Sequence, residues 1–149
     1  MKHPFIIRRA SLEDLDAITR LLEDLDYRIQ KQEEFKLLGL QVLEQDPAWT
    51  VFIALRSGTA VGFITIHIKP VLRLEGQIAS IEELVVQKDL RGSGVGSALL
   101  DKALTFADEL HCSRIEVLSS KRRESYKRNF YTKHGFTEHP SAVFRINKG

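Results

Sequence analysis

Three glycines at alternate positions stand just ahead of an apolar helical pattern in Arg91-Gly92-Ser93-Gly94-Val95-Gly96-Ser97. Glycine takes positive φ without a Cβ penalty, so this spacing lets successive N–H groups turn inward as an anion nest at a helix N terminus. A phosphate or pyrophosphate fits such a nest, and Arg91 adds a fixed positive charge at its rim for charge-assisted bonds to phosphate oxygens. The bland alternative is a hinge-like surface turn, which would leave the entropy cost of three glycines uncompensated. A Walker A loop is excluded, because Gly96 is followed by Ser97 with no Lys beside it. A dinucleotide fingerprint needs G-x-G-x-x-G close to the strand end; here the pattern is G-x-G-x-G, and five residues, Gln87 to Arg91, intervene after Val86.

Glu82 and Glu83 are adjacent in the otherwise apolar run Ile81–Val86. Strand alternation sends neighbouring side chains to opposite faces, so one carboxylate is expected on the core side, its pKa raised into the range of a general base. The alternative is that both are solvent-face charges. Other reactive types form no constellation. The five histidines include no H-x-x-x-H pair, so no metal site is expected, and no G-x-S-x-G elbow is present. Cys112 has no motif around it and reads as a small apolar residue.

Periodicity supplies the elements that must position these groups. Phe5–Arg9 reads as a strand, and Ser11 with Asp14 as a capping box opening a helix whose stripe is Leu15, Ile18, Leu22 and Leu25. Leu37, Leu40 and Leu43 indicate a second helix over about Gln32–Gln45, ended by Asp46-Pro47. Two β-rich runs joined at Ser57-Gly58-Thr59 predict an antiparallel hairpin. Ile78–Val86 is a third long strand, and Leu99, Ala103, Phe106 and Leu110 form the stripe of the helix after the glycine loop. Arg114–Leu118, a helix over Ser125–His134 and an edge strand over Ala142–Ile146 complete the order. The class is α/β or α+β with a mixed sheet, and the central βαβ crossover should make its two strands parallel.

With 149 residues, one domain over 1–149 is expected. The 22 Lys and Arg against 20 Asp and Glu leave a charge of +2, too little to imply nucleic-acid binding. The local cluster Lys121-Arg122-Arg123 with Lys127-Arg128 is too short for a nucleic-acid stripe and reads as a solvated face, with a role at cofactor phosphates open. A lone cysteine fits a reducing, cytoplasmic setting, and no apolar run approaches the roughly 18 residues of a membrane span.

Two stretches carry a family likeness. Arg91–Gly96 resembles the R/Q-x-x-G-x-G/A loop of the GCN5-related N-acetyltransferases, preceded by Leu84-Val85-Val86 in place of their L-x-V strand end. Phe130-Tyr131-Thr132-Lys133-His134-Gly135-Phe136 resembles their F-Y-x-x-x-G-F signature, about forty residues on and in the right order. The resemblance covers nearly the whole chain. It implies a mixed central sheet flanked by helices, with parallel strands splayed around a βαβ cofactor-binding unit. It also implies acetyl-CoA as donor, with its pyrophosphate on the amides of Arg91, Gly92, Ser93, Gly94, Val95, Gly96 and Ser97. The pantetheine arm would add as a strand to the backbone of Leu84, Val85 and Val86.

Acetyl transfer to an amine needs a base for the mostly protonated amine and an acid for the leaving thiolate. Ile81-Glu82-Glu83-Leu84 resembles the I/L-E-D/E strand of glucosamine-phosphate and polyamine acetyltransferases, which by carry-over makes Glu82 the base, with Glu83 beside it. The resemblance makes Tyr131 the acid, and a phenol with pKa near 10 is protonated at neutral pH; a core aromatic is the alternative. Glu124 stands where many members have Asn, and Lys127 where many have Ala. The acidic residues Glu23, Asp24, Asp26, Glu33 and Glu34 fall in the region that covers the acceptor in the family, though a polar helix face also explains them. The expected partner is a small-molecule or peptide amine, with neither membrane nor nucleic acid, and a homodimer through the C-terminal strand is open. The alternative function is a non-catalytic CoA-binding sensor of the same fold.

Overall fold

Valine, isoleucine and phenylalanine dominate the runs flanking Ser57-Gly58, a composition that suits a pleated, buried surface. In the structure, a computed structural model that describes residues 5–149 without the side chain of Glu124, these runs pair as an antiparallel hairpin. His3 lies outside the described residues. Strand β2 (Trp49–Arg56) turns into β3 (Thr59–Val71) through Ser57 and Gly58, both at positive φ (51° and 80°). That turn carries the same twist as the strands it joins. Strands β1 (Ile6–Arg9) and β4 (Gly76–Val86) lie antiparallel to β2 and β3, and β5 (Arg114–Val117) lies parallel to β4. The result is a five-stranded mixed sheet in the order β1-β2-β3-β4-β5, with helix α3 (Val95–Glu109) as the crossover between the parallel strands.

Neighbouring residues Gly62 and Phe63 of β3 point to opposite faces of this sheet. On the Phe63 face, Val51, Ile53, Ala60 and Val85 pack with Ile18 and Leu21 of α1 (Leu15–Asp24) in one buried cluster. On the other face Gly62 admits α3: a Cβ there would stand 2.8 Å from the Val85 carbonyl oxygen and 3.0 Å from Val95 Cγ1. An isolated glycine inside a strand commonly marks such a close approach.

The chain enters α1 through a short 3-10 turn, Leu12–Asp14. There the Asp14 carboxylate accepts the Ser11 N–H at 2.8 Å and a two-pronged bond from Arg8, both arms 2.8 Å. Arg8 and the Ser11 amide together hold the Asp14 carboxyl below its usual range. Helix α2 (Gln32–Leu40) continues into a wider turn, Gln41–Gln45, close to the expected span. Of its leucine repeat, Leu43 packs against the core cluster and Leu40 is half-buried. Leu37 is exposed, and Gly39 instead lets α2 meet Leu15, whose Cδ1 lies 2.8 Å from where a Cβ would be. Leu110, expected on the α3 stripe, is likewise exposed; Val95, Ala98, Leu99, Leu100, Ala103 and Ala107 are the buried set.

Two compact units divide at Leu118, the smaller being Ser119–Gly149. In it the single helix expected over Ser125–His134 is two, α4 (Glu124–Lys127) and α5 (Phe130–Lys133). Asn129, at φ 56° and ψ 37°, breaks the helix between them, a left-handed conformation that Asn tolerates better than most residues. The edge strand expected over Ala142–Ile146 is absent: the segment joins no ladder, and Val143, Phe144 and Ile146 are exposed. Alternating apolar residues make a strand only where a partner offers hydrogen bonds. Among the described residues no helix is long and apolar enough to cross a membrane.

Candidate active site

The ladder between β4 and β5 is short. It runs from Ile78↔Arg114 to Ile81↔Val117 and stops, while β4 continues to Val86 paired with β3 alone. The backbone from Glu82 to Val86 therefore presents an open strand edge, the geometry that accepts an extended amide chain as an added strand. Leu84, Val85 and Val86 pair with Ile64, Phe63 and Gly62. Val85 is buried against the α1 side, and Leu84 and Val86 are half-buried on the α3 side.

At the point where the ladder stops, β4 bulges. Ile66 pairs with Ile81 and Thr65 with Glu83, so Glu82 is the extra residue. This overturns the expectation that simple alternation places Glu82 and Glu83 on opposite faces with one carboxylate in the core: both are exposed. Each has one hydrogen-bond partner among the described residues. Ser80 donates to Glu82 Oε1 at 2.8 Å, and Thr65 donates to Glu83 Oε1 at 2.7 Å.

Beyond β4 the chain is tied down before it reaches the glycines. The Gln87 N–H is held by the Val61 carbonyl at 2.8 Å, and the Lys88 N–H by Asp24 Oδ2 at 3.1 Å. A 3-10 turn, Lys88–Leu90, follows, and its Leu90 carbonyl takes both the Ser93 N–H, at 3.2 Å, and the Ser93 hydroxyl. Gly92 (φ 83°) and Gly94 (φ 98°) sit in the left-handed region with nothing within 4 Å of where a Cβ would stand. The loop is thus open on its outer side. Gly94 caps α3, whose first turn holds Val95, Gly96 and Ser97 and no acidic residue. Amides at a helix start have no acceptor one turn back, and the helix dipole favours an anion there. Arg91 is exposed at the rim. An open edge beside a glycine-lined helix start suits a ligand with an amide arm and a diphosphate, so the residues present fit acetyl-CoA.

Tyr131 lies in the smaller unit, and its setting explains the F-Y-x-x-x-G-F pattern. Gly135, at φ 94°, ends α5 in a Schellman turn: Phe136 N–H reaches the Tyr131 carbonyl at 3.1 Å and Gly135 N–H the Thr132 carbonyl at 3.2 Å. The accompanying apolar contact is Tyr131 against Phe136, centroids 5.8 Å apart, with Phe130 edge-on at 5.1 Å. Burial raises the phenol's pKa above its ordinary value, against a smaller opposite pull from the Arg123 charge. Tyr131 is therefore an O–H donor at neutral pH.

Among the described residues no group of three or more His, Cys, Asp or Glu could hold a metal. Cys112 is half-buried, and burial pushes its thiol pKa up, away from nucleophile behaviour. Three contacts lie outside the sequence reading: that of Gly62 with α3, that of Asp24, read there only as one of the acidic residues near the acceptor, with the Lys88 amide, and that of Thr65 with Glu83. A glycine inside an apolar strand was a usable signal for the first; for the other two, whose partners lie 64 and 18 residues away, local sequence held none.

A model of the acetyltransferase (GNAT) family matches residues 15–136. The chain is 30% identical over 148 residues to an aminoalkylphosphonate N-acetyltransferase of Salmonella typhimurium, covering 95% of this chain and 89% of the relative. It is 27% identical over 133 residues to an amino-acid acetyltransferase of Mycobacterium tuberculosis, covering 89% of this chain and 68% of the relative. The fold is shared with a solved structure described as a transcriptional regulator from Bacillus halodurans, at TM-score 0.82 and 23% identity, covering 95% of this chain and 99% of that one.

Proposed function

The chain belongs to the acetyltransferase (GNAT) family and is an acetyl-CoA-dependent N-acetyltransferase, and from that premise we propose that it passes the acetyl group directly to a primary amine of a small molecule or peptide. Bound acetyl-CoA supplies an activated acyl thioester; everything else falls to the chain. The observation that carries the reading is the open β4 edge, Glu82 to Val86, leading into the glycine-lined start of α3. The amides from Arg91 to Ser97 and the Arg91 guanidinium bind the diphosphate, less the Ser93 amide, which the Leu90 carbonyl occupies. The backbone of Leu84, Val85 and Val86 orients the pantetheine arm. A carboxylate of Glu82 or Glu83 accepts the amine proton, and Tyr131 holds at its Oη the proton the leaving sulfur needs.

Direct transfer is supported by the lack of an activated nucleophile among the described residues, Cys112 being held as a thiol. The two compact units work as one acetyltransferase domain, a reading supported by the family match that runs through their division at Leu118. Exposed Val143, Phe144 and Ile146 support pairing of two copies through the C-terminal segment, which sedimentation velocity checks. The lone Cys112 supports a reducing, cytoplasmic setting. Aminoalkylphosphonates and amino acids, the acceptors in the relatives' names, head the screen of amines. Release of free thiol from acetyl-CoA should depend on the acceptor, with no acetyl-protein detectable by mass spectrometry. A burst of thiol with stoichiometric acetylation in the absence of amine would overturn direct transfer.

A further inference from the structure

The bulge in β4 creates a pair that a regular ladder would not. In unbroken register Thr65 would stand opposite Glu82; the extra residue puts it opposite Glu83. Thr65 is 5% exposed and lies on the sheet face that carries Val51 and Phe63, packed under α1. Only one other polar side chain among the described residues, Thr50, is buried as fully. Valine has the same shape and would suit that apolar position; a hydroxyl there is costly unless it is bonded. Its bond is the 2.7 Å donation to Glu83 Oε1. Glu82, by contrast, is bonded only by Ser80, two residues back on its own strand in an exposed position.

We propose that Thr65 is a positioning residue that makes Glu83, rather than Glu82, the acceptor of the amine proton. The inference rests on the reading above that a β4 carboxylate is the base. A hydroxyl anchored in the core fixes Glu83 Oε1 from a neighbouring strand, and Oε2, which has no hydrogen-bond partner among the described residues, is left to meet the amine. Holding the carboxylate in one arrangement removes rotamer freedom that would otherwise have to be lost during reaction. The ionisable side chains nearest on this face are His67 of β3, which pairs with Ser80, then Glu82 of β4, and Glu116 of β5, which also pairs with Ser80. From α1, Arg20 is held by the Ala60 carbonyl at 2.7 Å, Asp24 by the Lys88 amide at 3.1 Å, and Asp16 and Glu23 are exposed. Glu44, in the turn packed on β2, is exposed.

The experiment is the measurement of kcat and KM, with any amine the enzyme accepts, for Thr65→Val, Thr65→Ser, Glu83→Gln and Glu82→Gln, each first shown folded by circular dichroism. Thr65→Val should lower kcat and kcat/KM by about 10-fold each, with KM for acetyl-CoA unchanged. Thr65→Ser, which keeps the hydroxyl, should restore both. Glu83→Gln should lose about 10²-fold in kcat/KM, at least 10-fold more than Glu82→Gln, and adding Thr65→Val to it should change nothing further. If Thr65→Val matches the parent, or Thr65→Ser loses as much as it does, while Glu83→Gln is impaired, the role of Thr65 is overturned and the base survives. If Glu82→Gln is the more damaging, the choice of Glu83 is overturned. If neither glutamine variant loses activity, the carboxylate-base reading falls with it.

Discussion

Two turns in this molecule use glycine at positive φ beside a helix, and they use it to opposite ends. Ahead of α3, Gly92 and Gly94, at 83° and 98°, open the backbone outward, and the helix start they lead into holds no acidic residue. Behind α5, Gly135, at 94°, folds the backbone back so that the Gly135 and Phe136 amides close on the Thr132 and Tyr131 carbonyls. The first turn leaves donors for a ligand; the second consumes its donors internally and fixes an aromatic side chain. A second helix start sharpens the contrast. The turn into α1 supplies its own anion, Asp14, which takes the Ser11 amide and Arg8. The same residue type at the same kind of φ therefore does not reveal purpose; what decides is whether the chain itself satisfies the amides nearby.

The comparison breaks most visibly at the side chain the second turn fixes. Tyr131→Phe should lower kcat by about 10²-fold or more while KM for acetyl-CoA holds, measured by thiol release. Because burial raises the phenol's pKa, activity that depends on its proton should persist to the phenol's ordinary value of about 10 and fall only above it. An unchanged kcat removes Tyr131 from the chemistry and leaves the second turn purely structural. Gly94→Ala should raise KM for acetyl-CoA about 10-fold, since a side chain at this φ costs roughly 1–2 kcal/mol and disturbs the amides around it. Gly135→Ala should cost a similar 1–2 kcal/mol in urea denaturation and leave KM for acetyl-CoA unmoved. Matching KM changes in both variants would erase the distinction.

The smallest effect concerns the self-supplied anion. The folded Asp14 pKa lies below the unfolded value of about 3.9, so its contribution is complete above that pH and lost as pH falls through the folded value. Asp14→Asn should therefore cost under about 1 kcal/mol at pH 7, where Arg8 is partly solvated, and progressively less as pH falls through the folded value. A gap between the two proteins that persists in acid would mean that Asp14 acts through something other than its charge.

The glycine turn ahead of α3 was legible because its information is local: glycine spacing, the absence of a competing acid and the helical stripe behind it lie within about twenty residues. The hairpin and the parallel crossover followed from periodicity and chain handedness in the same way. The failures were failures of partnership. Ala142–Ile146 alternates like a strand yet finds no ladder, and Ser125–His134 has helical spacing yet is cut by the left-handed Asn129. The adjacency of Glu82 and Glu83 is legible in the sequence; the bulge that sets Glu83 opposite Thr65 is not.

What the residues alone determined, then, was the order of elements from β1 through β5 and the glycine turn at the start of α3. What only tertiary structure decided was register: the bulge at Glu82, the pairing of Thr65 with Glu83, and the end of the β5 ladder at Val117 that leaves the edge open. Turns and helices are fixed by dihedral preferences and bonds between near neighbours. Register is fixed by the packing of strands far apart in the chain, and one extra residue changes which side chains meet.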